Sequence, residues 1–182
     1  MNRLFLAIPL PWEIKQIIAD AAEEIKKQMK FSKISWVGAG NYHITLHFLG
    51  DVDIEKEERL IQLLRSKEYP APFELRIVGI DAFPNKKSPQ IIVIKTNIIS
   101  AAFGLYKRTA GVCVSFGLNI GEKPWEPHVT VGRVRVQSEV LKPELINLPL
   151  LGFKVDSFVL MSSALTPAGS VYETVEEFKL ES

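Results

Sequence analysis

The chain has 182 residues, 47% of them hydrophobic, and 22 Lys and Arg stand against 21 Asp and Glu for a formal net charge of +1. That length suits one domain or two small fused lobes with a real core, and the near-neutral balance excludes a protein that coats nucleic acid through many Lys/Arg–phosphate contacts. The single cysteine, Cys113, excludes a disulfide framework within the chain and suits a reducing compartment.

Residues 3–8 form an apolar run of strand length. The run is too short to span a membrane, is broken by Pro9 and Pro11, and lacks the features of a signal peptide. A cytoplasmic protein without membrane attachment is the default expectation. Pro11 suits the first turn of a helix. Ile14, Ile17, Ile18, Ala21, Ile25 and Met29 then recur at helical spacing. Ile34 and Trp36 alternate with polar neighbours, so 33–37 reads as a strand, and Gly38 and Gly40 mark a turn. His43–Leu49 reads as a strand ended by Gly50-Asp51, and Ile54–Arg65 as a second helix. Phe73, Leu75 and Ile77 alternate as in a half-buried strand. Asp81–Pro89 carries turn chemistry, Gln90–Lys95 is a β-branched strand, and 98–110 suits a helix. Val112–Phe116 reads as another strand, Gly117–Pro127 as a loop, and Val129–Val136 as a strand. The stretch 138–150 is ambiguous. Phe153–Leu165 has a long strand pattern, Pro167-Ala168-Gly169 turns, and Val171–Leu180 is a final strand. Strands outnumber helices and several are consecutive, which predicts an α+β fold with antiparallel sheets.

One internal echo stands out. Asn41-Tyr-His-Ile-Thr-Leu-His-Phe-Leu-Gly resembles Glu126-Pro-His-Val-Thr-Val-Gly-Arg, and each stretch follows a helix and a polar loop. The echo predicts two similar halves facing each other with no linker. Residues i and i+2 of a strand share a face. His43 and Thr45 therefore project together, as do His128 and Thr130, while Ile44 and Val129 turn to the core. Across a cleft, one neutral histidine removes a proton and the other, protonated, donates one. The threonine hydroxyls donate to the non-bridging oxygens of a phosphodiester. Neither a metal nor another cofactor is needed.

The residues Arg3-Leu-Phe-Leu-Ala-Ile, His43-Ile-Thr-Leu-His-Phe-Leu-Gly, Pro127-His-Val-Thr-Val-Gly-Arg, Ser163-x-Leu and Gly169-x-x-Tyr172 resemble the 2H phosphoesterase superfamily. Within it they resemble the RNA 2′,3′-cyclic phosphodiesterases, also called 2′-5′ RNA ligases. The resemblance spans nearly the whole chain. It implies a single unit over 1–182, with two pseudo-symmetric lobes of antiparallel sheet plus helices around a central cleft. It implies hydrolysis of a 2′,3′-cyclic phosphate to a 2′-phosphomonoester, with His43 as proton donor and His128 as proton acceptor. It also implies that Arg133 grips phosphate through a forked guanidinium. The expected partners are RNA with 2′,3′-cyclic phosphate ends or small cyclic nucleotides, and a monomer suffices. Two other functions are carried as alternatives: 2′-5′ end joining by the reverse chemistry, and a binding module without turnover. One departure is the mid-chain strand Gln90-Ile-Ile-Val-Ile, which lacks the Arg and Trp often found there in the family.

Strict alternation places His47 on the face of His43. It is a candidate for extending the phosphate site, against the plainer reading of a histidine at the cleft rim. With His43 and His128 it also makes three imidazoles, as in some zinc sites, a reading that leaves the repeated threonines without a role. Alternation turns Arg133 to the back face unless a bulge at Gly132 re-aims it. Phe48 alternates away from the histidines and reads as core, as does Trp36. Trp125 is open between core and base stacking. Lys26, Lys27, Lys30 and Lys33, and the pair Lys86-Lys87, read as solvated charges or as a phosphate track. Cys113 reads as a small buried hydrophobe.

Overall fold

The computed structural model describes residues 1–121, 124–166 and 169–181. Its strands are β1 (Asn2–Pro9), β2 (Lys33–Trp36), β3 (His43–Val52), β4 (Phe73–Phe83), β5 (Ile91–Thr96), β6 (His128–Val136), β7 (Gly152–Val155), β8 (Ser157–Thr166) and β9 (Gly169–Lys179). The helices are α1 (Trp12–Gln28), α2 (Ile54–Arg65) and α3 (Ser100–Ser115). The α+β class with antiparallel pairing is as the sequence predicts.

The strands follow the order β7-β4-β5-β6-β3-β1-β8-β9, with β2 also paired to β6. β7 and β8 are neighbours in sequence, separated only by Asp156, yet β7 is at one end of that path and β8 is one strand in from the other. The sheet must therefore curl, and the helices pack on the face that carries Ile44 and Val129. α1 buries Ile14, Ile18, Ala21, Ala22 and Ile25, one stripe at 3–4-residue spacing. The main core joins this stripe to Leu4, Leu6 and Ile8 of β1, Ile44 of β3 and Val129 of β6.

A local symmetry runs through the middle of the sheet. β1, α1 and β3 form one strand–helix–strand unit, and β5, α3 and β6 form another. In each unit the first strand pairs antiparallel with the one that carries an H-x-T motif. The units meet at one registered pair, Ile44 opposite Val129, both fully buried.

β3 runs past Gly50-Asp51 to Val52, β4 takes in Asp81–Phe83 of the expected turn, and two further elements differ more. Val112–Phe116 is not a strand, because α3 continues through it to Ser115. Leu105, Thr109, Val112 and Cys113 share its buried face, while Val114 points out. The long strand expected over Phe153–Leu165 is two strands with different partners, β7 on β4 and β8 on β1 and β9. Alternation runs through the join because both pieces are half-buried. The turn expected at Pro167-Ala168-Gly169 falls partly outside the described residues.

Candidate active site

The two motifs lie side by side at the centre of the sheet. His43 and Thr45 of β3, and His128 and Thr130 of β6, are half-buried on one face, with Ile44 and Val129 buried behind them. Each imidazole is held in the same way. His43 Nδ1 donates to the Asn41 carbonyl at 2.7 Å, and His128 Nδ1 donates to the Glu126 carbonyl at 2.6 Å. In both cases the acceptor lies two residues before the histidine. A carbonyl only accepts, so this contact fixes the proton on Nδ1 and leaves Nε2 for chemistry. His43 Nε2 meets the Thr45 hydroxyl at 3.1 Å.

Aromatic rings brace both histidines. Phe5 lies 4.9 Å from His43 and Tyr172 meets it edge-on at 5.3 Å, while Phe83 meets His128 edge-on at 5.2 Å. Burial is the main force keeping the His43 ring neutral. The Asn41 carbonyl opposes it, the positive charges of Lys15, His128 and Arg133 add to it, and the balance brings the pKa down to about 4. His128 is lowered too, chiefly by burial, with Lys95 and Arg133 adding and the Glu126 carbonyl and carboxylate opposing.

Both motif strands carry a bulge just beyond their threonine. In β3 the register to β1 slips at Leu46, and in β6 the register to β5 slips at Val131. Each bulge reverses the alternation that follows it. In β6 this turns the exposed Arg133 toward the histidine face, where its charge reaches both rings. In β3 it overturns two expectations. His47 does not join the site. It is 2% exposed and faces α3, where its Nε2 lies 3.0 Å from both the Tyr106 carbonyl and the Thr109 hydroxyl. The three imidazoles are thus not gathered as a zinc site requires. Phe48, expected in the core, is instead 65% exposed, at the place in its motif that Arg133 holds in the other.

Gly132, next to the β6 bulge, permits the close approach of β2. A Cβ there would lie 2.9 Å from Ile34 and 3.1 Å from Trp36, so β2 packs against the bare backbone. Trp36 is accordingly a packing residue, with Lys26 over its ring. Lys26 also pairs with Glu23, as a solvated helix end does. Cys113 is fully buried as a free thiol, its pKa pushed up to about 12 by burial. Phe5, Phe83, Lys15 and the orienting carbonyls of Asn41 and Glu126 were not singled out by sequence. The one sequence signal among them is that Asn41 and Glu126 share an offset of two residues before their histidine.

A family model described as LigT like phosphoesterase matches residues 8–93. A Thermotoga maritima protein named RNA 2′,3′-cyclic phosphodiesterase is 32% identical, covering 98% of this chain and 96% of its own. A Methanocaldococcus jannaschii protein of the same name is 31% identical, covering 97% and 99%. Among solved structures, TT0787 of Thermus thermophilus matches with a TM-score of 0.81 at 26% identity, covering 98% and 97% of the two chains. Escherichia coli LigT complexed with 3′-AMP shares the fold, with a TM-score of 0.78 at 24% identity over 98% of both chains.

Proposed function

The chain belongs to the LigT-like phosphoesterases, and on that footing we propose that it hydrolyses 2′,3′-cyclic phosphate ends of RNA to 2′-phosphomonoesters through the two H-x-T motifs. The observation that carries this reading is the matched pair of imidazoles, each with Nδ1 tied to a carbonyl and Nε2 left for proton transfer. Water attacks phosphorus as His128 takes its proton. The bond from phosphorus to O3′ breaks as His43 supplies a proton to that oxygen. One water is consumed, the phosphate stays on O2′, and the histidines exchange protonation states. Thr45 and Thr130 donate to the non-bridging oxygens, where charge builds. Arg133 adds a forked cation.

The RNA reading has its own support. Phe48 offers an exposed ring near the Phe5–His43 pair, with ring centroids of Phe5 and Phe48 6.2 Å apart. A groove beside His128 is walled by Phe83 and edged by Lys86 and Lys87. One chain carries both motifs, so a monomer suffices. The free, buried thiol of Cys113 suits the reducing cytoplasm. No helix among the described residues is long and apolar enough to cross a membrane.

Separate His43→Ala and His128→Ala variants test the scheme on a nucleoside 2′,3′-cyclic phosphate. Each is expected to lose about 10²–10⁴-fold in kcat, the usual worth of one general acid or base. Near-normal turnover in either overturns the assignment. No step uses a metal, so activity in EDTA is expected to match activity without it.

A further inference from the structure

We propose that Trp125 is a positioning residue that sets the separation of the two histidines, an inference that rests on the two-histidine reading above. β3 and β6 share one registered pair, Ile44–Val129. Away from the join each strand is well held, β3 by β1 along its length and β6 by β5 over Ile91–Lys95. The join itself is the weak seam in the sheet, and it lies between the reacting groups.

Trp125 bridges that seam. Its indole N–H donates to the Thr45 carbonyl at 2.9 Å, so a side chain from the β6 approach bonds to the backbone of the first motif. Trp125 is next to Glu126, whose carbonyl orients His128. One end of the bridge is thus covalently tied to the segment that aims His128, and the other end holds the strand that carries His43. The indole plane is itself fixed. It stacks on Tyr106 at 5.0 Å and 7°, and Tyr106 stacks on His47 at 4.6 Å. His47 belongs to β3 and bonds to α3 through Tyr106 and Thr109. The ladder Trp125–Tyr106–His47 therefore clamps the loop before the second motif, α3 and β3 into one body. A ring held on one face and at its N–H is poorly placed to swing out and stack on a base. The buried His47, which has no catalytic role, is the far rung of this clamp.

An acid and a base must flank the phosphorus in line, and a displacement of about 1 Å costs up to about 10²-fold in rate. The test is Trp125→Phe, which keeps an aromatic ring to stack on Tyr106 and removes the N–H together with the rest of the pyrrole ring. With a nucleoside 2′,3′-cyclic phosphate, kcat is expected to fall about tenfold, a partial loss of that geometric term, while KM stays within about twofold. The melting temperature is expected to hold. The His43 titration midpoint, read by NMR, is expected to rise as the charges of His128 and Arg133 on β6 move away from it. Unchanged kcat and midpoint overturn the proposal. So does a raised KM at wild-type kcat, which marks base stacking, or a kcat loss that only tracks loss of folded protein. The NMR midpoint needs no turnover, so it judges the clamp even if the wild type hydrolyses no cyclic phosphate, an outcome that defeats the proposed function alone.

Discussion

On the proposed scheme His43 is an unusual proton donor, because in the free site burial and the charges of Lys15, His128 and Arg133 all work against its charged form. A phosphodiester brings the negative charge that reverses this, so donor protonation is coupled to substrate binding. The expected kinetic result is a kcat/KM profile, reporting the free enzyme, with its maximum below pH 6.5. The kcat profile, reporting the bound state, is displaced to higher pH. Coincident profiles contradict the coupling. Folding stability follows the same sign. The His43 pKa is lower in the folded protein, so its stabilising effect is full above about pH 6.5 and is lost as pH falls toward about 4. At this scale the sequence showed His43, Thr45, His128 and Thr130 on one face of their strands, because two-residue alternation holds over so short a stretch. Beyond each threonine it failed. Nothing in Leu46-His47-Phe48 signals a slipped register, so His47 and Phe48 were assigned to each other's faces.

The bulges are the elements on which the site depends. In β6 the feature was foreseeable, since Gly132 is a residue that marks a bulge or a close backbone approach. Gly132→Ala puts a carbon 2.9 Å from the Ile34 side chain and 3.1 Å from Trp36, so β2 or the bulge must move. A stability loss of about 1–3 kcal/mol is expected in urea unfolding. KM should rise as well, as Arg133 loses its aim. A variant with wild-type urea midpoint and KM would show that β2 tolerates the carbon and that Arg133 is aimed by something else. α1 and α2 were legible because their apolar stripes keep one period. α3 was read short because Val112, Cys113 and Val114 are β-branched or small, and β-branched residues favour strands. Their burial on a helical face decided otherwise.

Across the whole molecule, charge is nearly balanced, so any grip on RNA must come from placement. Lys86 and Lys87 edge the groove beside His128, and the salt bridges of the described residues do not engage them. Replacing both with alanine is expected to lower kcat/KM for an oligoribonucleotide with a cyclic end about tenfold at low salt and less at high salt. A mononucleotide substrate should be unaffected. Equal effects on both substrates would place the lysines outside the RNA path. The curled closure of the sheet was not legible, because alternation through Asp156 reports burial on each side but not which partner each strand takes. That closure carries a consequence for how the enzyme is made. The outer neighbour of β1 is β8, completed by β9, and both strands follow the two motifs in the chain. A nascent chain already carries both histidines while the half that holds His43 still has an open edge. Tyr172, which braces that histidine, also arrives with the β8–β9 hairpin. Order of synthesis thus puts the catalytic pair ahead of the strands that brace it, and a chain cut short before β8 is expected to hold both histidines with His43 unsupported.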